Sequence, residues 1–135
     1  MSSEATLDTT EAIRIAAFRA VIRSFLRTSE RLAREHGLTP RRHLLLLMIK
    51  GAPDGSEQST VTDLSERLQL AQSTVTELVG RAERAGLVER ERSGRDLRVA
   101  HLRLTAEGER RLARSVRGIE QERHELRRRL DELGV

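Results

Sequence analysis

Gln72, Ser73, Thr74, Thr76, Glu77, Arg81 and Arg84 share one short stretch with Val75, Leu78, Val79 and Ala82. The apolar members recur at helical spacing, so the polar ones form the outer face of an amphipathic helix over about residues 72–86. The chemistry this face offers is hydrogen bonding. Small hydroxyls and backbone amides at a helix start reach phosphate oxygens, while Gln, Ser, Thr and Arg reach base edges. A helix so composed suits the major groove of duplex DNA. The same face also fits a plain solvated surface, so its setting must decide.

The setting is a second helix in front and a hairpin behind. Thr60-Val61-Thr62-Asp63 pairs a hydroxyl with a carboxylate three residues on, a capping box. It predicts a helix running through Leu64 and Leu68, with Gln69-Leu70-Ala71 as a short connection. Gly86 ends the second helix, because only glycine takes the left-handed conformation there cheaply. Two short helices across a tight turn make a helix-turn-helix. Thr60 and Thr62, at its entrance, join the candidate DNA contacts. Next, Leu87 to Arg92 and Leu97 to Leu104 alternate with period two around Ser93-Gly94-Arg95-Asp96, which predicts an antiparallel hairpin. Residues 90–103 hold five Arg against Glu91 and Asp96. A cationic hairpin beside a helix-turn-helix is a wing, able to reach phosphate or a narrow minor groove. Its candidate contacts are Arg92, Arg95 and Arg98, the last with Asp96 as an alternative partner. A first strand pairing with the wing would come from around Ser59 to Val61.

In order and wording these segments resemble the MarR family of winged-helix transcriptional regulators. The matching residues are Leu38-Thr39-Pro40, Asp63-Leu64-Ser65-Glu66-Arg67-Leu68, Ser73-Thr74-Val75-Thr76 with Leu78-Val79, Gly86-Leu87-Val88-Glu89-Arg90, Asp96-Leu97-Arg98 and Leu104-Thr105-Ala106-Glu107-Gly108. The resemblance implies a mainly α fold with a small β-hairpin wing (α+β), and a homodimer on a palindromic operator. It implies a ligand-responsive repressor with an effector pocket between the dimer helices and the winged helix; Phe18, Ile22, His43 and Leu47 would line it. Four residues depart from the family pattern. Ala71 replaces a capping Ser, Gly80 weakens the recognition helix, and Ala82 is small where a Leu is usual. Glu77 puts a negative charge on the reading face, where it accepts from a cytosine amino group or pairs with Arg81 at i, i+4.

The flanks read as helices seeking partners. Residues 1–8 are polar and aperiodic, and are expected to be disordered. A helix over 9–37 carries Ile15, Phe18, Ile22, Phe25, Ser29 and Leu32 at spacings of 3, 4, 3, 4 and 3, a heptad-like seam. Thr39-Pro40 opens the winged-helix region, 38–105. Leu44 to Ile49, apolar almost all round, predicts a central buried helix, and Gly51 to Ser59 a loop. Thr105 caps a further helical region, 106–135, whose seam runs Leu112, Val116, Ile119, Arg123, Leu126, Leu130 and Leu133, with a bend at Gly118. The two terminal helical regions together predict a dimerisation region.

Composition bounds the rest. The 135 residues suffice for one domain with helical extensions. Without Cys there is neither a disulfide framework nor a thiolate metal site. No apolar run spans a membrane and the start lacks a signal-peptide pattern, so a cytoplasmic protein is expected. The formal charge of +4 is spread evenly, +1 in each of 1–36, 37–58, 59–105 and 106–135. The local placement of Arg, not net charge, carries the argument for DNA. His36, His43, His101 and His124 form no metal-spaced pair, and no nucleophile or phosphate-loop motif is present. No metal, cofactor or enzyme activity is expected. Even charge, Glu77 and Gly80 keep a rival reading open: a winged-helix protein-interaction module without operator DNA.

Overall fold

The computed structural model describes residues 4–91 and 99–134. Its elements run α1 (Thr9–Glu35), α2 (Pro40–Lys50), β1 (Gln58–Ser59), α3 (Val61–Leu68), α4 (Gln72–Arg84), β2 (Val88–Glu91), β3 (His101–Leu104), α5 (Ala106–Gly118) and α6 (Glu120–Leu133). This is the mainly α winged-helix architecture with a small antiparallel sheet.

Local chemistry sets the boundaries. Thr39, Thr60 and Thr105 each accept a backbone N–H at a helix start. At Thr60 the capping box is complete, with Asp63 accepting from the Thr60 N–H. α1 and α4 both end in Schellman turns. Leu38 N–H reaches Ala33 O and Leu87 N–H reaches Ala82 O, with Gly37 and Gly86 at φ +77° and +75°. Between α3 and α4, Gln69 itself takes the left-handed conformation at φ 56°.

The sheet has the order β1-β3-β2. Ser59 stands opposite Leu102, and Val88 opposite Leu104. The first strand lies at Gln58–Ser59, earlier than the sequence predicts, because Thr60 is committed to capping α3. One core unites Leu38, Leu45, Leu46, Ile49, Leu64, Val75, Val79, Ala82, Leu87, Leu102 and Leu112. It holds α2, α3, α4, the sheet and the start of α5 as one body.

Two expectations about burial are corrected. α2 is not buried all round: Leu45, Leu46 and Ile49 are fully buried, but Leu44 and Leu47 are 42% and 37% exposed. In α1 the buried residues are Val21, which widens the apolar face beside the seam, and Ala33, not the seam itself. Phe18, Ile22, Phe25, Ser29 and Leu32 are half-buried and Ile15 is exposed. α1 packs along α6 and touches α2 and α5. The bend predicted at Gly118 falls at Ile119, which separates α5 from α6.

Candidate nucleic-acid interface

α3 and α4 pack on one another, and both contribute to the core, so the outer face of α4 is rigidly presented. Val75, Val79 and Ala82 are fully buried and point inward. Gln72, Ser73, Thr76 and Glu77 are exposed along the first two turns, while Thr74 is half-buried at the edge of that face. Glu77 pairs with Arg81 at 2.7 Å, so the negative charge on this face is compensated within the helix. Of the candidate contacts on α3, Thr62 is exposed, and the Thr60 hydroxyl is occupied by the cap. The predicted wing contacts Arg92, Arg95 and Arg98 lie outside the described residues. The wing's base is fixed by Arg90, which donates to Glu83 of α4 at 2.8 Å. Arg103 donates to the Ser56 carbonyl at 3.2 Å.

A separate apolar cavity of about 290 Å³ opens between α1, α2 and α5. Of the four residues the resemblance implies for an effector pocket, His43 and Leu47 line this cavity and Phe18 and Ile22 do not. On α1 the lining residues are Phe25, Leu26, Ser29 and Glu30, further along the helix, because the cavity lies beside α2 and α5 near the end of α1. Val116 and Ile119 close the α5 side. His43 is buried, and its Nδ1 lies 3.0 Å from the Ser115 hydroxyl across the α2–α5 contact. Ser115 was not singled out from the sequence, though a small polar residue beside the apolar seam positions Leu112 and Val116 was its signal.

Burial pushes the His43 imidazole below its ordinary value of 6.5. The unfolded chain therefore takes up a proton first as pH falls, and stability declines from about pH 6.5 down through the folded-state value. Hydrogen bonds from Arg111 and Arg110 to Glu107, and from Arg128 to Glu125, hold those carboxyls below their ordinary range, outside this window. His43→Gln keeps a partner for Ser115 but cannot titrate. Thermal unfolding followed against pH should lose its decline below about 6.5 in that variant. An unchanged profile would place the titration elsewhere.

Residues 36–98 match the sequence model of the MarR family. This segment is similar to the MarR family. Solved structures agree with its fold. AbsC, a MarR family transcriptional regulator from Streptomyces coelicolor, is 22% identical, with a TM-score of 0.74 over 91% of this chain and 84% of its own. A MarR mutant from E. coli complexed with operator DNA is 20% identical, with a TM-score of 0.68 over 89% and 85%. A MepR mutant from S. aureus bound to an oligodeoxyribonucleotide is 21% identical, with a TM-score of 0.66 over 81% and 78%. Among curated proteins none matches the chain.

Within this segment, Ala71 is the N-cap of α4 and offers no side-chain hydrogen bond. The amides of the first turn of α4 therefore lack a cap from that position. Ala71→Ser is expected to stabilise the fold by about 1 kcal/mol. A thermal midpoint no higher than that of the parent would show that solvent already satisfies those amides.

Among the described residues, no three His, Asp or Glu side chains converge as a metal site. No described helix is long and apolar enough to cross a membrane.

Proposed function

We propose that this protein is a transcriptional regulator that binds double-stranded DNA in a sequence-specific manner. It acts as a homodimer, with α4 of each protomer in the major groove of one half of a palindromic operator. The observation that carries this reading is the first two turns of α4. Gln72, Ser73, Thr76 and Glu77 stand exposed on a helix anchored by fully buried Val75 and Val79. The similarity to the MarR family and the likeness to proteins solved with operator DNA and with an oligodeoxyribonucleotide support it. Thr62 at the start of α3 and Arg92, Arg95 and Arg98 of the wing complete the contact set. The Thr60 side chain serves the cap, so its backbone is what faces the duplex.

The dimer is supported by what α1 and α6 leave uncovered. Ile13 and Ile15 are 64% and 47% exposed, and α6 has no buried residue. Residues 9–37 and 106–135 form the dimerisation region, and 38–105 the DNA-binding domain. Half-sites then lie about one helical turn apart. The cavity at the junction of these regions is the effector site, and its occupation shifts the winged helix relative to the dimer helices. The protein acts in the cytoplasm as a repressor, without enzyme activity.

The test is selection of duplexes from a random pool by the purified protein at about 150 mM salt, where nonspecific phosphate binding is screened. Enrichment of a palindrome is the expected result. Tight binding without an enriched sequence, or no retention at all, would overturn it; the latter would favour a protein-interaction module.

A further inference from the structure

The charged residues of α4 are Glu77, Arg81, Glu83 and Arg84. Glu77 pairs with Arg81 at 2.7 Å, and Glu83 with Arg90 at 2.8 Å. Among the described residues Arg84, which is exposed, has no ion-pair partner. Its Nη1 lies 3.4 Å from where a Cβ on Gly80 would stand. Helix side chains lean toward the N-terminus, so a residue covers the spot over the turn before it. Because position 80 has no side chain, the Arg84 guanidinium lies down on the helix. It sits about one turn, roughly 5 Å, closer to Ser73 and Thr76 than its own Cα does.

Helical spacing places residues 73, 77, 80 and 84 along one line, opposite the buried Val75, Val79 and Ala82. The guanidinium therefore occupies the middle of the outward face. A glycine in mid-helix weakens the helix, yet here it opens a notch that its neighbour fills.

We propose that Arg84, seated in the Gly80 notch, is a specificity-determining residue that reads guanine in the major groove. This rests on α4 being the recognition helix. Guanine offers O6 and N7 to a planar fork of N–H donors. Among the described residues Arg84 has that fork uncommitted, whereas Arg81 already gives one nitrogen to Glu77. A side chain larger than a methyl group at position 80 would lift the guanidinium away from the helix and out of register with the base.

The test is duplex selection from a random pool by the full-length protein and its Arg84→Ala, Arg84→Lys, Gly80→Ala and Gly80→Leu variants, each checked by thermal unfolding. The unsubstituted protein should enrich guanine at a fixed position. Arg84→Ala should lose that preference alone, with roughly ten- to hundredfold weaker binding to the selected duplex, and Arg84→Lys, a point donor without the planar fork, should keep only part of it. Gly80→Leu should lose it too while remaining folded, and Gly80→Ala should keep it, since 3.4 Å is an ordinary contact for a methyl group. Retained guanine preference in Arg84→Ala overturns the proposal. So does a uniform loss over all sequences with a flatter salt slope, the mark of a phosphate contact. If the unsubstituted protein enriches nothing, the reading of α4 itself fails, an outcome visible before any variant is compared.

Discussion

Gly108→Ala should destabilise the protein by about 3 kcal/mol or more, the upper end of what forced overpacking costs. A Cβ at this position would stand 2.1 Å from the Leu87 carbonyl oxygen and 3.1 Å from its carbon. Both obstacles are backbone, so no rotamer change relieves the clash. The carbonyl cannot swing aside cheaply either, because it accepts the Thr105 N–H at 3.0 Å. The adjoining Gly86 carbonyl accepts the Thr105 hydroxyl at 2.6 Å. Thr105 also caps α5 through the Gly108 N–H. One methyl thus pries α5 off the segment that joins α4 to the wing. A drop of roughly 10 °C in the thermal midpoint is expected for a chain of this size. A variant that melts with the parent would mean that α5 can slide along β2 without loss.

Gly108 also shows how the sequence speaks. Leu104-Thr105-Ala106-Glu107-Gly108 is legible as a helix start, and the N-cap hydroxyl is where the pattern predicts. The reason for glycine is not legible, since it depends on Leu87, which is remote in the chain. The same division runs through the molecule. The capping box, the two Schellman turns and the alternation of the wing strands depend on neighbours in sequence, and each can be read there. β1 could not be placed by alternation, because it has only two residues and its end is fixed by the cap of α3.

Burial on α1 escaped for a different reason. A heptad spacing marks the middle of the apolar face, which Val21 widens, but the helix touches α2, α5 and α6 at different levels. Partners at several angles bury Val21 and Ala33 and leave Phe18 and Ile22 half-covered. The cavity is lined by His43 and Leu47, which sit on α2 itself, and not by those same two residues. On α4 the polar face could be read from spacing alone. The Glu77–Arg81 pair is legible there too, as one of two alternatives at i, i+4, whereas Arg84 lying over Gly80 required side-chain positions.

Arg67→Met should cost about 2 kcal/mol, for a reason that binds the helix-turn-helix to the rest of the domain. Arg67 closes the last turn of α3, and its guanidinium reaches across to the end of α2. It donates to the Met48 carbonyl at 2.6 Å and to the Gly51 carbonyl at 3.1 Å. Carbonyls at a helix C-terminus have no partner inside the helix, and the helix dipole makes them good acceptors for a cation. A single planar fork serves both oxygens, which a lysine ammonium on a flexible stem cannot match. Arg67→Lys should therefore recover only part of the loss, with a midpoint between those of the parent and Arg67→Met. Exposed ion pairs elsewhere, such as Arg128 with Glu125, join neighbours on one helix, and their removal should change the midpoint little. Full recovery by lysine would show that charge alone matters at the end of α2. No loss in Arg67→Met would show that water serves those carbonyls as well, leaving α3 held to α2 by Leu64 and the core around it.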